Sequence, residues 1–461
     1  MALTMSTLTS TGSMFSLVRA CHCWVSHSRL QETPHIDLTF VRKPTFCALA
    51  GRIDTSAFPL AWAGSSMLTE EDPSIQMITP SAFKWDVWNA TTGPHPAPPA
   101  SDTTLEDRVR WLLQLDNTSE ATVFSAGSSY SEQQAPGFLY PTVMMDRIPT
   151  SSSVQYQTFS FGDYITAIAY WNNATVATKG NVRSNNDLKP AVVWLHPYSY
   201  ATGFTPSYGC DTVHTKLAEA GYVSIAFDQV GFGMRILEGG NTFYARHGRR
   251  ASLFGHMVRD ARAAVDVLSC LGDAESRAAP QCGTGETPGS TYPAQTALRN
   301  IPGVDPNRIY VAGYSLGGNV ALHAAALDDR IAGAAAFAAF TPFRSDSNDR
   351  PTLGLRRLYD LHAVIPRLGF FAGDTTAVPY DYDELIGSLA PKPVLIHSPK
   401  DDRDATAADV AACADKLAEK WSSAGAASNF TFQAPPGETV MSTIESALLV
   451  AWLDNVTSTW Q

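Results

Sequence analysis

From residue 154 onward, apolar and polar positions fall into short blocks of two kinds. Tyr156–Phe161 and Tyr164–Tyr170 alternate residue by residue, the period of half-buried strands, and read as an antiparallel pair. Ala191–Leu195 is a continuous apolar run, as a strand covered on both faces must be. Helical spacing follows over Thr212–Ala220, Gly221 ends it, and Tyr222–Phe227 is the next apolar strand. Ser252–Leu271 reads as a long amphipathic helix. Arg308–Ala312 is a strand that runs straight into Gly313-Tyr314-Ser315, and Leu316–Ala326 is helical. Ile331–Phe340 reads as a strand plus flank, further strands are expected at Pro393–His397 and Phe430–Gln433, and helices over Ala407–Trp421 and Ser442–Trp452. Strands alternating with helices at this spacing predict a doubly wound α/β domain: a mostly parallel sheet with helices on both faces and an antiparallel edge.

The pattern is absent upstream. Residues 1–80 show no sustained period and read as a poorly ordered or targeting extension. Residues 81–150 hold a Pro-rich stretch, Gly93–Pro99, then a helix over Asp102–Leu113, and read as a layer packed on the main domain of residues 151–461. No internal repeat or heptad run occurs.

Composition narrows the partners. Hydrophobic residues make up 44% of the 461 and charged residues 17%, enough apolar content for a large core. A net charge of -11 exerts no long-range pull on nucleic acid or anionic membranes, so neither is expected as a partner. The longest apolar run, near Ile331–Phe340, falls short of the roughly 18 to 20 residues of a membrane span. The seven cysteines lack zinc spacing, Cys21-His22-Cys23 being too tight, so no metal is expected. Cys270 and Cys282 bracket a small loop and are either disulfide-linked or free. Sequons at Asn89, Asn117, Asn173, Asn429 and Asn455 favour a secretory or extracellular route. The acid-poor N-terminus, with no clean apolar stretch before a cleavage site, leaves organelle targeting open. Oligomeric state is not legible.

The candidate chemistry centres on Gly313-Tyr314-Ser315-Leu316-Gly317. A Gly-X-Ser-X-Gly that follows an apolar strand and opens a helix forms a sharp turn that exposes the serine hydroxyl. Side chains at the glycines would collide with the adjoining strand and helix, and the helix N-terminus favours a developing oxyanion.

On these residues, with Val192–Tyr198, Ile225–Gly233 and Pro393–His397, the region from about 154 to 455 resembles the α/β-hydrolase superfamily. Its nearest likeness is the group of dienelactone hydrolases, acetyl xylan esterases and prolyl-oligopeptidase catalytic domains. The resemblance implies an α/β-hydrolase-type sheet with a small cap inserted between the sixth and seventh strands. It implies Ser315 as nucleophile and an oxyanion hole from backbone N–H groups of Leu316 and Tyr198, since Pro197 has no N–H to offer. It places the acid just after the seventh strand, where Asp401 fits best and Asp402 and Asp404 are rivals.

The base is the departure. The family places a histidine after the last strand, but Ala434–Val440 contains none, and no histidine follows His397. Three readings stay open: His362 reaches in from the cap, Glu438 serves directly or through water, or the protein is slow or inactive. The expected function is a serine hydrolase of small acyl or carbohydrate acetyl esters, needing no cofactor. The alternatives are a peptidase on the same core, or a binding protein that keeps the fold.

Other residues have plainer expectations. Asp228 should hold the Gly231-Phe232-Gly233 turn, Tyr380–Glu384 should open a helix, and His323 should pack or face solvent. The basic-aromatic stretch Phe243–Arg250 reads as a solvated loop with local salt bridges, or as a site for an acidic substrate group.

Overall fold

The computed structural model describes residues 98–115 (except 101), 151–172 (except 152, 163 and 164), 188–204 (except 201), 211–272 (except 249) and 298–458 (except 299 and 439). The expectations for residues 1–80, most of the Pro-rich stretch, five cysteines including Cys210 and Cys282, and Asn89, Asn117 and Asn173 lie outside these. The chain divides into two units, residues 1–59 and 60–461, and all described residues belong to the second.

The elements are α1 (Leu105–Leu113), β1 (Val154–Phe161), β2 (Ile165–Asn172), β3 (Lys189–Leu195), α2 (Asp211–Glu219), β4 (Val223–Phe227), α3 (Gly240–His247), α4 (Leu253–Ser269), β5 (Val304–Tyr314), α5 (Leu316–Leu327), β6 (Ile331–Phe337), α6 (Tyr382–Gly387), β7 (Val394–His397), α7 (Ala407–Ser423), β8 (Phe430–Gln433) and α8 (Thr443–Ser458). The strands form one eight-stranded sheet in the order β1-β2-β4-β3-β5-β6-β7-β8. β2 is antiparallel to both β1 and β4, and every pairing from β4 through β8 is parallel. This is the doubly wound, mostly parallel α/β arrangement that the apolar blocks imply, and it is of the α/β-hydrolase type that the resemblance implies.

Side-chain alternation along the strands explains the two helical layers. Val193, Leu195, Val311, Ala336 and Ile396 face one core, covered by α1, α4, α5, α6 and α7. Their neighbours Val192, Trp194, Tyr310, Phe337 and Leu395 face the other, under α2 and α8. The chain order reverses at β3, which lies between β4 and β5. Ligands of open α/β sheets bind beyond the carboxyl ends of the strands at such a reversal. Of the strand-plus-flank segment Ile331–Phe340, β6 takes Ile331–Phe337 and ends where Ala338 turns to φ +49, outside the strand region.

Between β6 and β7 the chain builds the cap from short 3-10 turns, a π-turn at Arg357–Leu361, and α6. Buried carboxylates fix it. Asp381 caps α6 and accepts N–H bonds from Phe343, Arg344 and Tyr382 at 2.8 to 2.9 Å. Asp346 accepts from Thr352, Leu355 and Arg356 at 3.1 Å each. α1 braces the same cap: Arg108 pairs with Glu384 at 2.7 Å, and Arg367 stacks over Trp111 at 4.7 Å. Cys270 is disulfide-bonded, its partner lying outside the described residues, and Cys413 is a buried free thiol. Among the described residues no helix is long and apolar enough to cross a membrane.

Asp228 does what its place at the end of β4 suggests. It accepts from Phe204 N–H at 3.0 Å and from Met234 N–H at 2.8 Å. A Cβ on Gly233, at φ +54, would sit 2.3 Å from its carboxyl carbon. Asp228→Ala takes the carboxylate from one buried donor, Phe204 N–H, and one part-buried donor, Met234 N–H, each loss worth about 1 to 3 kcal/mol. It is expected to lower unfolding free energy by about 2 to 4 kcal/mol, read as a shift in urea midpoint at unchanged m.

Candidate active site

Ser315 sits where β5 turns into α5, with φ +52 and ψ -119. That conformation is costly for a residue with a Cβ, and it persists because the surroundings over-determine it. The Ser315 N–H donates to Phe337 O at 2.8 Å, tying the turn to β6, and Asn319 N–H donates to Ser315 O at 3.1 Å. The glycines are required by contact. A Cβ on Gly313 would lie 2.4 Å from the Gly317 carbonyl carbon, and one on Gly317 would lie 2.1 Å from Leu195 O. Helix α5 therefore starts directly against the end of β3. Ser315 itself is half-buried.

The loop after β3 is held by His196, a residue that sequence reading treated only as part of the loop. Its fully buried ring accepts the Gln229 N–H at Nε2, 2.9 Å away. Nδ1 therefore carries the proton and donates toward Pro197 O at 2.7 Å and Ser199 Oγ at 2.9 Å. Gln229 Nε2 returns a bond to His196 O at 2.6 Å. This lock between the β3 and β4 loops sets the path of Tyr198. Among the described residues neither the Tyr198 N–H nor the Leu316 N–H is taken by a hydrogen bond.

The Tyr198 ring stacks on His362 at 4.0 Å between centroids, with planes 23° apart. Its hydroxyl is buried with no hydrogen-bond partner among the described residues, and burial drives the phenol pKa far up. His362 thus overhangs the oxyanion loop from the cap. Burial, reinforced by Arg357, pushes its imidazole down to about 4, while Asp404 acts in the opposite direction. Arg357 and Asp404 pair at 2.8 Å.

The three aspartates after β7 separate in role. Asp401 is exposed, and its carboxylate accepts the Gly437 N–H at 2.8 Å, holding the loop after β8. Asp402 is buried and accepts from Asp404 N–H at 2.8 Å. Of the three, Asp404 alone is among the charges that shift His362. Glu438 pairs with Arg403 at 2.6 Å in an exposed ion pair. Among the described residues no side chain hydrogen-bonds the Ser315 hydroxyl, and no group of three or more His, Cys, Asp or Glu gathers to hold a metal ion.

His323 is buried. Its Nδ1 donates to Asn319 O and its Nε2 accepts from Tyr380 OH, both at 2.9 Å, and burial lowers it to about 4. Asn319 Nδ2 donates to Tyr382 OH at 2.7 Å, so α5 is fastened to α6 directly behind the serine turn. The stretch Phe243–Arg250 is a correction: most of it is the helix α3, with Phe243 buried, and not a loop. What sequence reading missed is Arg357, whose partner Asp404 lies on a different loop.

Fold and serine turn define an α/β-hydrolase-fold protein. Residues 290–360, which hold β5, the turn, α5 and β6, match the acetyl xylan esterase family. No curated protein matches the chain. Among solved structures it is similar to a methylesterase at 16% identity and TM-score 0.48, over 77% of this chain and 63% of that one. It is also similar to a promiscuous carbohydrate esterase family 15 enzyme from a marine bacterial metagenome, at 13% identity and TM-score 0.49, over 79% and 98%. A glucuronoyl esterase of that family from Teredinibacter turnerae aligns at 15% identity and TM-score 0.45, over 68% and 77%. The chain thus spans less than two thirds of the methylesterase.

Proposed function

We propose that the chain hydrolyses a small carboxylic ester, with carbohydrate acetyl esters the favoured class, through an acyl-Ser315 intermediate. The observation that carries this is Ser315 at φ +52 between β5 and α5, with the open Leu316 N–H next to it and the start of α5 packed on the loop that leads to Tyr198. The matched family supplies the acetyl-carbohydrate part. The chemistry lies in residues 151–461, and α1 serves by bracing the cap.

In this reading Ser315 Oγ attacks the ester carbonyl and His362 takes its proton. The Leu316 and Tyr198 N–H groups hold the oxyanion, each worth about 3 to 4 kcal/mol. Collapse expels the alcohol, which leaves with the proton. Water, deprotonated by His362, then attacks the acyl group and frees the acid. Asp404 stabilises the imidazolium, and Asp401 serves by fixing the turn that carries Asp404.

The pH profile of p-nitrophenyl acetate hydrolysis tests this. A base must be neutral to work, and His362 titrates at about 4. The acid limb is therefore expected near pH 4, with activity falling only below it. His362→Gln should lower kcat by about 10² to 10⁴-fold and remove that limb. An unchanged profile in the variant eliminates His362 as the base. A second reading, a binding protein that keeps the fold, is favoured by the Ser315 hydroxyl having no side-chain partner among the described residues. Wild-type protein that neither turns over ester nor reacts with a fluorophosphonate would establish it.

A further inference from the structure

A separate cavity of about 220 Å³ lies among the 3-10 turn Gly233–Glu238, helix α3 and the first half of α4. It shares no lining residue with the Ser315 site. Its walls carry Arg235, Arg246, Arg259, His247 and His256, with Glu238 the only carboxylate among the lining residues. On a chain of net charge -11 this is a local excess of positive charge.

The groups are fixed in place by different means. Arg235 is anchored by Asp260 at 2.7 Å and by Glu238 at 2.7 Å, both guanidinium edges being engaged. Arg259 also approaches Asp260, at 3.5 Å. The two imidazoles stand 4.8 Å apart and both pack on Phe243, at 4.6 and 4.8 Å. Burial, with Arg259 beside it, pushes the His256 imidazole down to about 4, and an oxyanion bound beside the two rings would draw them toward the protonated form. Arg246 is exposed at the rim and makes no ion pair among the described residues. Rigid walls with one uncommitted guanidinium at the mouth suit a charged ligand. The volume is below the roughly 300 to 1,000 Å³ of pockets for drug-sized molecules, so the ligand is small.

We propose that this cavity binds a small oxyanion, a phosphate or a short carboxylate, between Arg246 and the His247–His256 pair. The site also touches the cap. Tyr244, on the same helix as Arg246 and His247, donates its hydroxyl to Ala363 O, and Phe254 N–H donates to Val364 O at 3.0 Å. Ala363 follows His362 and sits at φ +50. Occupancy that stiffens α3 therefore acts on the residue next to His362.

Isothermal titration of the full chain with inorganic phosphate, and separately with acetate, at ionic strength held constant with chloride, tests the proposal. Saturable one-site binding of either is expected, and the stronger arm names the anion class. Arg246→Glu is expected to weaken it at least tenfold with the circular dichroism spectrum unchanged, Arg246 being exposed and outside the catalytic machinery. Binding in Ser315→Ala should equal wild type, which separates this site from the esterase reading. No saturable heat with either anion, or undiminished affinity in Arg246→Glu, would overturn the proposal.

Discussion

Replacing Ser315 by alanine is expected to abolish fluorophosphonate labelling and to lower kcat/KM for p-nitrophenyl acetate at least about 10³-fold, leaving only what the open N–H groups and binding supply. The loss should fall on kcat, because the hydroxyl contributes its bond to carbon only as the reaction proceeds. Stability is the internal control. Ser315 Oγ makes no hydrogen bond among the described residues, so its removal strands nothing, and alanine meets the same φ of +52 that serine does. The unfolding free energy from urea titration should stay within about 0.5 kcal/mol of wild type. Full labelling of the alanine variant would place the nucleophile elsewhere.

The sheet and the serine turn were legible because each follows from local pattern. Continuous apolar runs such as Ala191–Leu195 mark strands buried on both faces, and Gly313-Tyr314-Ser315-Leu316-Gly317 follows one such strand directly. The fixing role of Asp228 followed from its position before Gly231-Phe232-Gly233. Less legible was anything made by loops meeting across the strand ends. The His196–Gln229 lock joins residues 33 apart, and the pairing of Arg357 with Asp404 joins the cap to the turn after β7. No periodicity encodes such contacts. The stretch Phe243–Arg250 reads as a loop by pattern because helix α3, which holds most of it, starts with glycine and carries few apolar positions, too little for an amphipathic signal. The separation of Asp401, Asp402 and Asp404 into exposed fastener, buried acceptor and partner of Arg357 likewise depends on which way a tight turn faces.

Gly317→Ala is expected to cost more than about 4 kcal/mol, reading out as loss of soluble folded protein or a collapse of the urea midpoint. The added Cβ would stand 2.1 Å from Leu195 O and 2.6 Å from His196 O. Both are backbone atoms. Leu195 O ends a strand hydrogen-bonded into the sheet on both sides, and His196 is pinned through its ring and its carbonyl to Gln229. Neither can retreat as a flexible side chain would, so relief requires α5 to move away from β3. That movement would carry the Leu316 N–H away from the Tyr198 N–H and strain the tie between Ser315 N–H and Phe337 O. Gly425→Ala is the control: its φ of +71 imposes the backbone cost alone, with nothing within 4 Å of the new Cβ. That variant should lose only about 1 to 2 kcal/mol and keep full activity. Equal costs at the two positions would mean that the turn tolerates separation of β3 and α5, and that the glycine serves conformation and not contact. Should any Gly317→Ala protein fold, its kcat per folded molecule is expected to fall with its stability, because one close approach sets both.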